Sequence, residues 1–110
     1  MDFNRVKIST TTPVGYAEAL RDALGEAGAG VVGEYTFCSF TMSGQGRFKP
    51  SHKARPHIGQ AGKLEVVAEE KIEVVCDRTS AKRVVSALKK AHPYEEPIVN
   101  IIALIDEGEL

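Results

Sequence analysis

The chain has 110 residues and a formal net charge of −1, with 43% hydrophobic and 26% charged residues. This length predicts a single domain over residues 1–110, large enough to bury a core, and the near-neutral charge is atypical of a dedicated nucleic-acid binder. No apolar run approaches the roughly 20 residues that cross a bilayer, the first residues lack a secretory signal, and two cysteines without a C-x-x-C motif favour a reducing cytoplasm.

The first elements are a strand and a helix. Residues 5–9 alternate between polar and apolar side chains, which is typical of a strand with one face on a core. The sequence Thr10-Thr11-Thr12-Pro13 predicts a helix start, because a threonine can cap free amides and proline fits the first helical position. Gly28 and Gly30 predict the end of the helix. Its apolar face is formed by Val14, Ala17, Leu20, Leu24 and Ala27.

The middle of the chain combines a strand pattern with an irregular segment. Residues 31–42 are rich in β-branched and aromatic side chains, which predicts a second strand. Gly44-Gln45-Gly46 then predicts a turn. Residues 50–62 show no period and contain two prolines and two glycines, so they predict a loop. Irregular loops of this length are often functional.

A strand and a helix follow. Residues 64–76 are apolar at most even positions, which predicts a strand, and Glu70 interrupts the pattern where we expect a bulge or a break between two strands. Thr79 or Ser80 can cap the second helix, and His92-Pro93 ends it because the residue before proline avoids the helical region. The predicted buried face of this helix comprises Ala81, Val84, Val85, Leu88 and Ala91.

The last strand completes the fold prediction. Residues 98–105 are apolar on both faces except at Asn100. The resulting β-α-β-β-α-β order predicts a ferredoxin-like α+β fold, an antiparallel sheet with two helices on one face. In the usual strand order the last strand lies at an edge, where an apolar strand invites aggregation. Either the C-terminal tail or the long loop covers this edge within one chain, or a homo-oligomer buries it between subunits.

The strongest electrostatic feature is the segment of residues 47–63, which has five basic residues, two histidines and no acid. A basic loop with glycines can offer cations and backbone amides to a small anion such as phosphate or carboxylate. Alternatively, it is a solvated loop whose charge balances acidic neighbours such as Glu65 and Glu69. The candidate anion-binding residues are Arg47, Lys49, Lys53, Arg55 and His57, with Gly59 and Gly62, together with Gly44 and Gly46, shaping the loop.

A second candidate site follows the second helix, where His92 precedes Glu95 and Glu96. One interpretation is structural: a histidine at a helix C-terminus interacts favourably with the helix dipole, and adjacent carboxylates would keep it protonated. The alternative is a metal site formed by His92 and Glu95, because imidazole and carboxylate suit zinc or copper. No second histidine cluster in the sequence completes such a coordination shell.

No residue pattern predicts catalysis. Cys38 and Cys76 lie in apolar strand patterns and are interpreted as buried packing residues. Tyr35 and Tyr94 are interpreted as packing residues with a hydrogen-bonded hydroxyl. The sequence has no nucleophile elbow and no phosphate-binding P-loop, so no catalytic residue is assigned and an enzyme is not expected.

Five segments of the chain together resemble the YqfO family, whose larger members are related to the NGG-interacting-factor proteins. In those members the pattern is an inserted domain of a dinuclear-metal protein that often carries a GTP cyclohydrolase type 2 label. The inserted domain is itself similar to the PII signalling proteins and the CutA divalent-cation tolerance proteins, and residues 10–13 and 92–95 also resemble CutA. The five segments are residues 33–40, 44–50, 56–59, 62–65 and 92–97.

This resemblance implies a PII-like or CutA-like subunit of a homo-oligomer, expected to be a trimer, that binds a small anionic ligand or a divalent metal ion. The two-metal site of the larger relatives lies in flanking lobes that this chain lacks, so their hydrolase label is not expected to carry over. The alternative is a structural interaction domain that docks onto a separate protein. A divalent metal ion is the one cofactor that the resemblance suggests.

Overall fold

The computed structural model describes residues 3–110 and contains six main elements. They are β1 (Arg5–Pro13), α1 (Ala17–Glu26), β2 (Phe40–Phe48), β3 (Glu65–Asp77), α2 (Ala81–Ala91) and β4 (Asn100–Leu104). All neighbouring strands pair antiparallel, in the order β2-β3-β1-β4. The predicted ferredoxin-like α+β fold is thereby confirmed. None of the described helices is long and apolar enough to cross a membrane.

The core lies between the two helices and one face of β1 and β3. Leu20 and Leu24 are four residues apart on α1, and Val84 and Leu88 repeat the spacing on α2, so each pair lies on one helical face. Partly buried Ala81, Val85 and Ala91 flank the buried residues of α2, which confirms its predicted apolar face. The buried core residues are Val6, Ile8, Ala17, Leu20, Leu24, Ala29, Ile72, Val74, Cys76, Val84 and Leu88.

The start of the first helix differs from the prediction. Thr10 and Thr12 belong to β1 and are buried, so their β-branched side chains pack in the strand rather than cap a helix. Pro13 is the last residue of β1 and pairs with Glu69. A 3-10 turn over Val14–Tyr16 follows it directly and leads into α1 at Ala17. Val14 is 52% exposed and lies outside the buried face of the helix. The helix ends as predicted, before Gly28 and Gly30, both with positive φ.

The second strand lies further along the chain than predicted. Residues 31–39 form an irregular connection with one isolated bridge between Val32 and Tyr35, and β2 begins at Phe40. Tyr35 is 75% exposed and Cys38 is half-buried outside any strand, which corrects the interpretation of both as strand packing residues. High β-propensity was not sufficient to make residues 31–39 a strand, because strand formation also needs a packing surface and a partner strand.

The predicted turn at residues 44–46 is also wrong, because these residues lie inside β2 and pair with β3. Gly46 lies opposite Val67, and any side chain at Gly46 would overlap the carboxylate of Glu69. Glycine within a strand often marks such a close approach. Gly46 therefore makes room for a neighbouring side chain instead of turning the chain.

β3 is continuous over its 13 residues, which rules out the predicted bulge or break at Glu70. Glu70 stays in register with both neighbours, opposite Thr12 on β1 and Ser43 on β2. It faces the helices, where its carboxylate lies 3.7 Å from the guanidinium of Arg21. The acidic residue at position 70, where the pattern of the strand calls for an apolar one, is thus explained by its ion pair with α1 rather than by an irregular backbone.

β4 occupies the edge of the sheet, as the fold prediction requires. It is shorter than predicted, and its apolar side chains remain open: Ile101 is 51% exposed and Ile102 is 55% exposed. Ile98 and Ile105, on either side of the strand, are 55% and 58% exposed. Within residues 3–110, neither the C-terminal segment nor the long loop covers this edge.

Candidate functional site

A cleft of about 650 Å³ lies where the second half of β2, the long loop and the segment after α2 meet. The loop runs from Lys49 to Leu64, between β2 and β3, so Arg47 and Phe48 belong to β2 and not to the loop. Thr11 of β1 and Glu69 of β3 also line the cleft. The site therefore combines residues from three strands with two irregular segments.

Backbone hydrogen bonds and glycines give the loop its shape. The amide of Gly62 donates to the carbonyl of Pro50 over 2.8 Å, which closes the loop on itself. Gly59 and Gly62 have φ angles of 101° and 78°, a region that favours glycine. A side chain at Gly59 would also overlap Glu65. Both glycines thus act on the loop conformation, the role predicted for Gly59 and Gly62.

Only part of the predicted anion-binding set lines the cleft. Arg47, Lys49 and His57 do so, whereas Lys53 and Arg55 do not. The backbone amide of Arg55 donates to Oε1 of Glu95 over 3.0 Å, which ties the loop to the segment after α2. All five side chains are exposed, so the charges of the two arginines and two lysines among them act through solvent and attract an anion only weakly.

Acidic side chains share the cleft with these basic residues. Glu69, Glu95 and Glu96 all line it. The charge in the cleft is therefore mixed, although the sequence of the loop is purely basic. A ligand with a single type of charge would meet both attraction and repulsion here.

Aromatic rings form one wall of the cleft, with Tyr94 at their centre. Its ring centroid lies 5.7 Å from Phe48, 5.1 Å from His92 and 6.5 Å from His57. His57 in turn contacts Tyr16 edge-on, with 5.4 Å between the centroids. Inclined rings at such distances attract each other, so the wall is held together by side chains of β2, the loop and the segment after α2.

Glu69 is the one acid of the cleft that is buried, with 6% of its surface exposed. Its Oε2 accepts a hydrogen bond of 2.6 Å from the hydroxyl of Tyr94. Burial and the hydrogen bond to Glu69 raise the pKa of Tyr94 far above its ordinary value. The tyrosine therefore stays protonated at physiological pH, and its hydroxyl keeps donating to the carboxylate.

His92 is also buried and uses both ring nitrogens within the chain. Its Nδ1 accepts a hydrogen bond of 3.1 Å from the amide of Tyr94, so the proton is on Nε2, which donates to the carbonyl of Thr11 over 2.7 Å. Burial lowers the pKa of His92, although the Thr11 carbonyl and Glu69 oppose this shift. The imidazole is neutral, which differs from the protonated cap expected from Glu95 and Glu96.

This arrangement does not fit a metal ion on His92 and Glu95. Neither imidazole nitrogen is free, and Glu95 accepts the amide of Arg55. Across residues 3–110, no group of three or more histidine, cysteine, aspartate or glutamate side chains is arranged to hold a metal ion.

We expect His92 to make stability depend on pH. The folded state binds its proton less readily than the unfolded state, where the pKa is near the ordinary value of 6.5. The contribution of the neutral His92 to the free energy of unfolding is thus fully present above pH 6.5 and is lost as the pH falls below this value. His92→Gln should flatten this dependence in urea denaturation between pH 7.5 and 5.5. The exposed His52, changed to glutamine, provides the control, and equal slopes in both variants would contradict the assignment.

The sequence interpretation missed Glu69 as a site residue and treated it only as an acidic neighbour of the loop. One signal was available: two glycines within a segment of strand length, at Gly44 and Gly46, indicate a close approach to another group. Which group approaches depends on the pairing of β2 with β3, and that pairing is not visible in either segment alone.

Comparison with known proteins tests the family resemblance. No protein-family model matches the chain. The chain is 43% identical over 103 residues to a GTP cyclohydrolase 1 type 2 homolog from Halalkalibacterium halodurans. The aligned region covers 94% of this chain and 28% of the relative. The structure of the chain matches a Bacillus cereus protein related to NIF3 with a TM-score of 0.81 and 36% identity, over 94% of this chain and 26% of that one. The resemblance to the YqfO family is confirmed.

The YqfO-related chain spans about a quarter of the length of the relatives it matches. Its fold also matches a whole small protein, the periplasmic divalent cation tolerance protein CutA from Archaeoglobus fulgidus. That match has a TM-score of 0.68 and 20% identity, and covers 93% of this chain and 85% of CutA. It confirms the predicted CutA-like fold of the YqfO-related chain.

Proposed function

We propose that residues 1–110 form one non-catalytic binding domain that takes a small anionic ligand into the cleft and acts as a regulatory module. The observation that carries the proposal is the cleft itself, whose lining includes Arg47 and Lys49 as well as Phe48 and Tyr94 of the aromatic wall. Arg47 alternates with Gly46 and Phe48 along β2, so its side chain leaves the strand on the face opposite Phe48. The cleft volume of about 650 Å³ lies within the usual range of small-molecule sites. Lys53 and Arg55 add positive charge around the cleft and His57 lines it, but Arg47 and Lys49 are the main candidates for direct contact.

A binding role is preferred to catalysis because two titratable groups at the aromatic wall, His92 and Tyr94, are used to hold the site together. His92 and Tyr94 both engage in hydrogen bonds within the chain. The same observation favours an anion over a divalent metal ion, since His92 has no nitrogen left for coordination. The hydrolase-type name of the relatives belongs to proteins about four times as long, and the proposal does not extend it to this segment.

The proposal includes a homo-oligomer, with a trimer as the expected assembly. The supporting observation is the exposed apolar edge at β4, which residues 3–110 do not cover. Natural proteins usually cover or pair such an edge, and a second copy of the chain can do so. The free thiols of Cys38 and Cys76 suit a reducing compartment, and we propose the cytoplasm.

Reversing two charges tests the anion site. We expect Arg47→Glu with Lys49→Glu to weaken the binding of inorganic phosphate or of a nucleoside triphosphate at least about tenfold, because attraction is replaced by repulsion at the cleft. Binding is measured by calorimetry and by native mass spectrometry. Both positions are exposed, so the fold and the oligomer should persist.

The matched control reverses two exposed lysines of α2 outside the cleft, Lys82→Glu with Lys89→Glu. It changes the net charge by the same amount, so an equal loss of affinity would show that only the overall charge matters. Unchanged binding in the double variant at Arg47 and Lys49 would refute the proposed anion site.

A second candidate function is a structural interaction domain that docks onto a separate protein. It is favoured by the open edge at β4 and by the fact that the chain spans only about a quarter of its relatives. The expected result is a protein partner that binds the parent chain but not a variant with lysine at Ile101 and Ile102. Native mass spectra of the parent chain would then show no bound anion.

A further inference from the structure

Glu69 has more hydrogen-bonding capacity than the chain uses. An ionised carboxylate offers about four lone-pair positions. Among residues 3–110, Tyr94 alone donates a side-chain hydrogen bond to it, and no lysine, arginine or histidine lies within ion-pair distance. Glu69 as a residue is only 6% exposed, but its oxygens are not among the fully buried polar atoms of the described residues that lack a partner, so Oε1 is left to solvent in the cleft. A ligand that supplies N–H donors can replace that solvent.

The position of Glu69 makes it available to such a ligand. Its side chain lies over Gly46 on the face of the hairpin that also carries Phe48. Glu69, Gly46 and Phe48 all line the cleft. The absence of a side chain at Gly46 is what gives the carboxylate its place on the cleft wall.

The aromatic rings beside the carboxylate favour a flat cation. Tyr94 donates to Glu69 and stacks edge-on against Phe48, with 5.7 Å between ring centroids. The face of an aromatic ring attracts a cation, and a planar amidinium can also pack flat against it. The carboxylate and the two rings together therefore suit an amidinium-like group better than a second anion.

We infer that Glu69 recognises a cationic, N–H-donating group of the ligand, so that the cleft binds a flat zwitterion whose anionic end lies at Arg47 and Lys49. The anionic half of this statement rests on the proposed function. The cationic half rests on the burial, the contacts and the position of Glu69. The mixed charge of the cleft, with acids and bases on its walls, fits a ligand of both charges.

Three probes with the same ring separate the two halves: benzamidine as a cation, benzoate as an anion and 4-amidinobenzoate as the zwitterion. Each is titrated into the full chain and followed by amide chemical shifts in ¹⁵N NMR spectra. We expect benzamidine to shift the amides of Gly46 and Tyr94, and the zwitterion to bind more tightly than either single-charge probe. Glu69→Gln should weaken benzamidine and the zwitterion about tenfold or more, and leave benzoate within about twofold.

Gly46→Ala provides a second variant that keeps every charge. The added methyl group would overlap the Glu69 carboxylate and displace it, and the flexible end of a glutamate side chain can move at low cost. Gly44→Ala is the matched control, since it lies on the same strand and face and an added methyl group there meets nothing within 4 Å. We expect benzamidine binding to weaken in Gly46→Ala and to persist in Gly44→Ala, with both spectra showing a folded chain.

The outcomes distinguish this inference from the proposed function. If benzamidine does not bind, or binds equally well to the parent, Glu69→Gln and Gly46→Ala chains, the inference is overturned, while benzoate binding that needs Arg47 and Lys49 still supports the proposed function. If benzamidine binding depends on Glu69 but neither benzoate nor phosphate binds, the role of Glu69 stands and the proposed anion site fails.

Discussion

Lysine at both Ile101 and Ile102 should convert the proposed homo-oligomer into a monomer of 11.9 kDa. These residues are adjacent on β4 and point to opposite faces of the edge strand, so the pair alters the edge on both sides. Burying an ammonium group at an interface costs several kcal/mol unless it finds a partner. In the monomer both side chains are about half exposed, so the fold should tolerate the change.

Light scattering coupled to size-exclusion chromatography measures the mass directly. The control is Val32→Lys, because Val32 is an equally exposed apolar residue (54%) that belongs to the connection before β2 and not to the edge strand. We expect this variant to keep the mass of the parent. A parent chain that is already monomeric at micromolar concentration, or an oligomer that survives both lysines, would exclude β4 as the interface.

The second large effect concerns the core. Leu88→Ala should lower the free energy of unfolding by about 2–5 kcal/mol, since a fully buried leucine leaves both lost apolar burial and a cavity. Leu88 belongs to the face of α2 that packs on the sheet, together with Val84. Domains of this size are stable by about 5–15 kcal/mol, so a large part of the stability would be lost.

Urea denaturation measures this effect, preferably in the background of the two β4 lysines, where unfolding should not depend on protein concentration. Lys89→Ala is the control, because Lys89 is the next residue on α2 and is exposed. Its effect should stay within about 0.5 kcal/mol. If Leu88→Ala lowered the free energy of unfolding by less than about 1 kcal/mol, α2 would pack more loosely than the complete burial of Leu88 indicates.

The parts of the fold that could be predicted well from the sequence are those in which apolar residues recur with a strong local period. The spacing of Val84 and Leu88 defines one helical face without any knowledge of the sheet, and the end of α2 follows from Pro93 alone. β2 had no such signal: its first half is exposed, and Gly44 and Gly46 lower its strand propensity. Its position is set by pairing with β3, which is a long-range property.

The same distinction applies to the site. The unusual loop between β2 and β3 was recognised from its composition, and its contact with the segment after α2 was not. Glu69 and Tyr94 are 25 residues apart in the chain and meet only because the segment after α2 returns to the first half of β3. Likewise, the neutral state of His92 follows from its burial, which lowers its pKa despite the opposing effect of the Thr11 carbonyl, 81 residues away in the chain.

The place of β1 in the sheet has a consequence for biosynthesis. Among the four described strands β1 is made before the others, yet both of its partners come from the second half of the chain: Arg5 lies opposite Asp77 on β3 and opposite Leu104 on β4. Contacts between such distant segments form slowly, because large loops must close before any pairing stabilises them. During synthesis on the ribosome, β1 therefore cannot pair with its second partner until residues 100–104 have been added. Its pairing is completed late, although it is made before the other described strands.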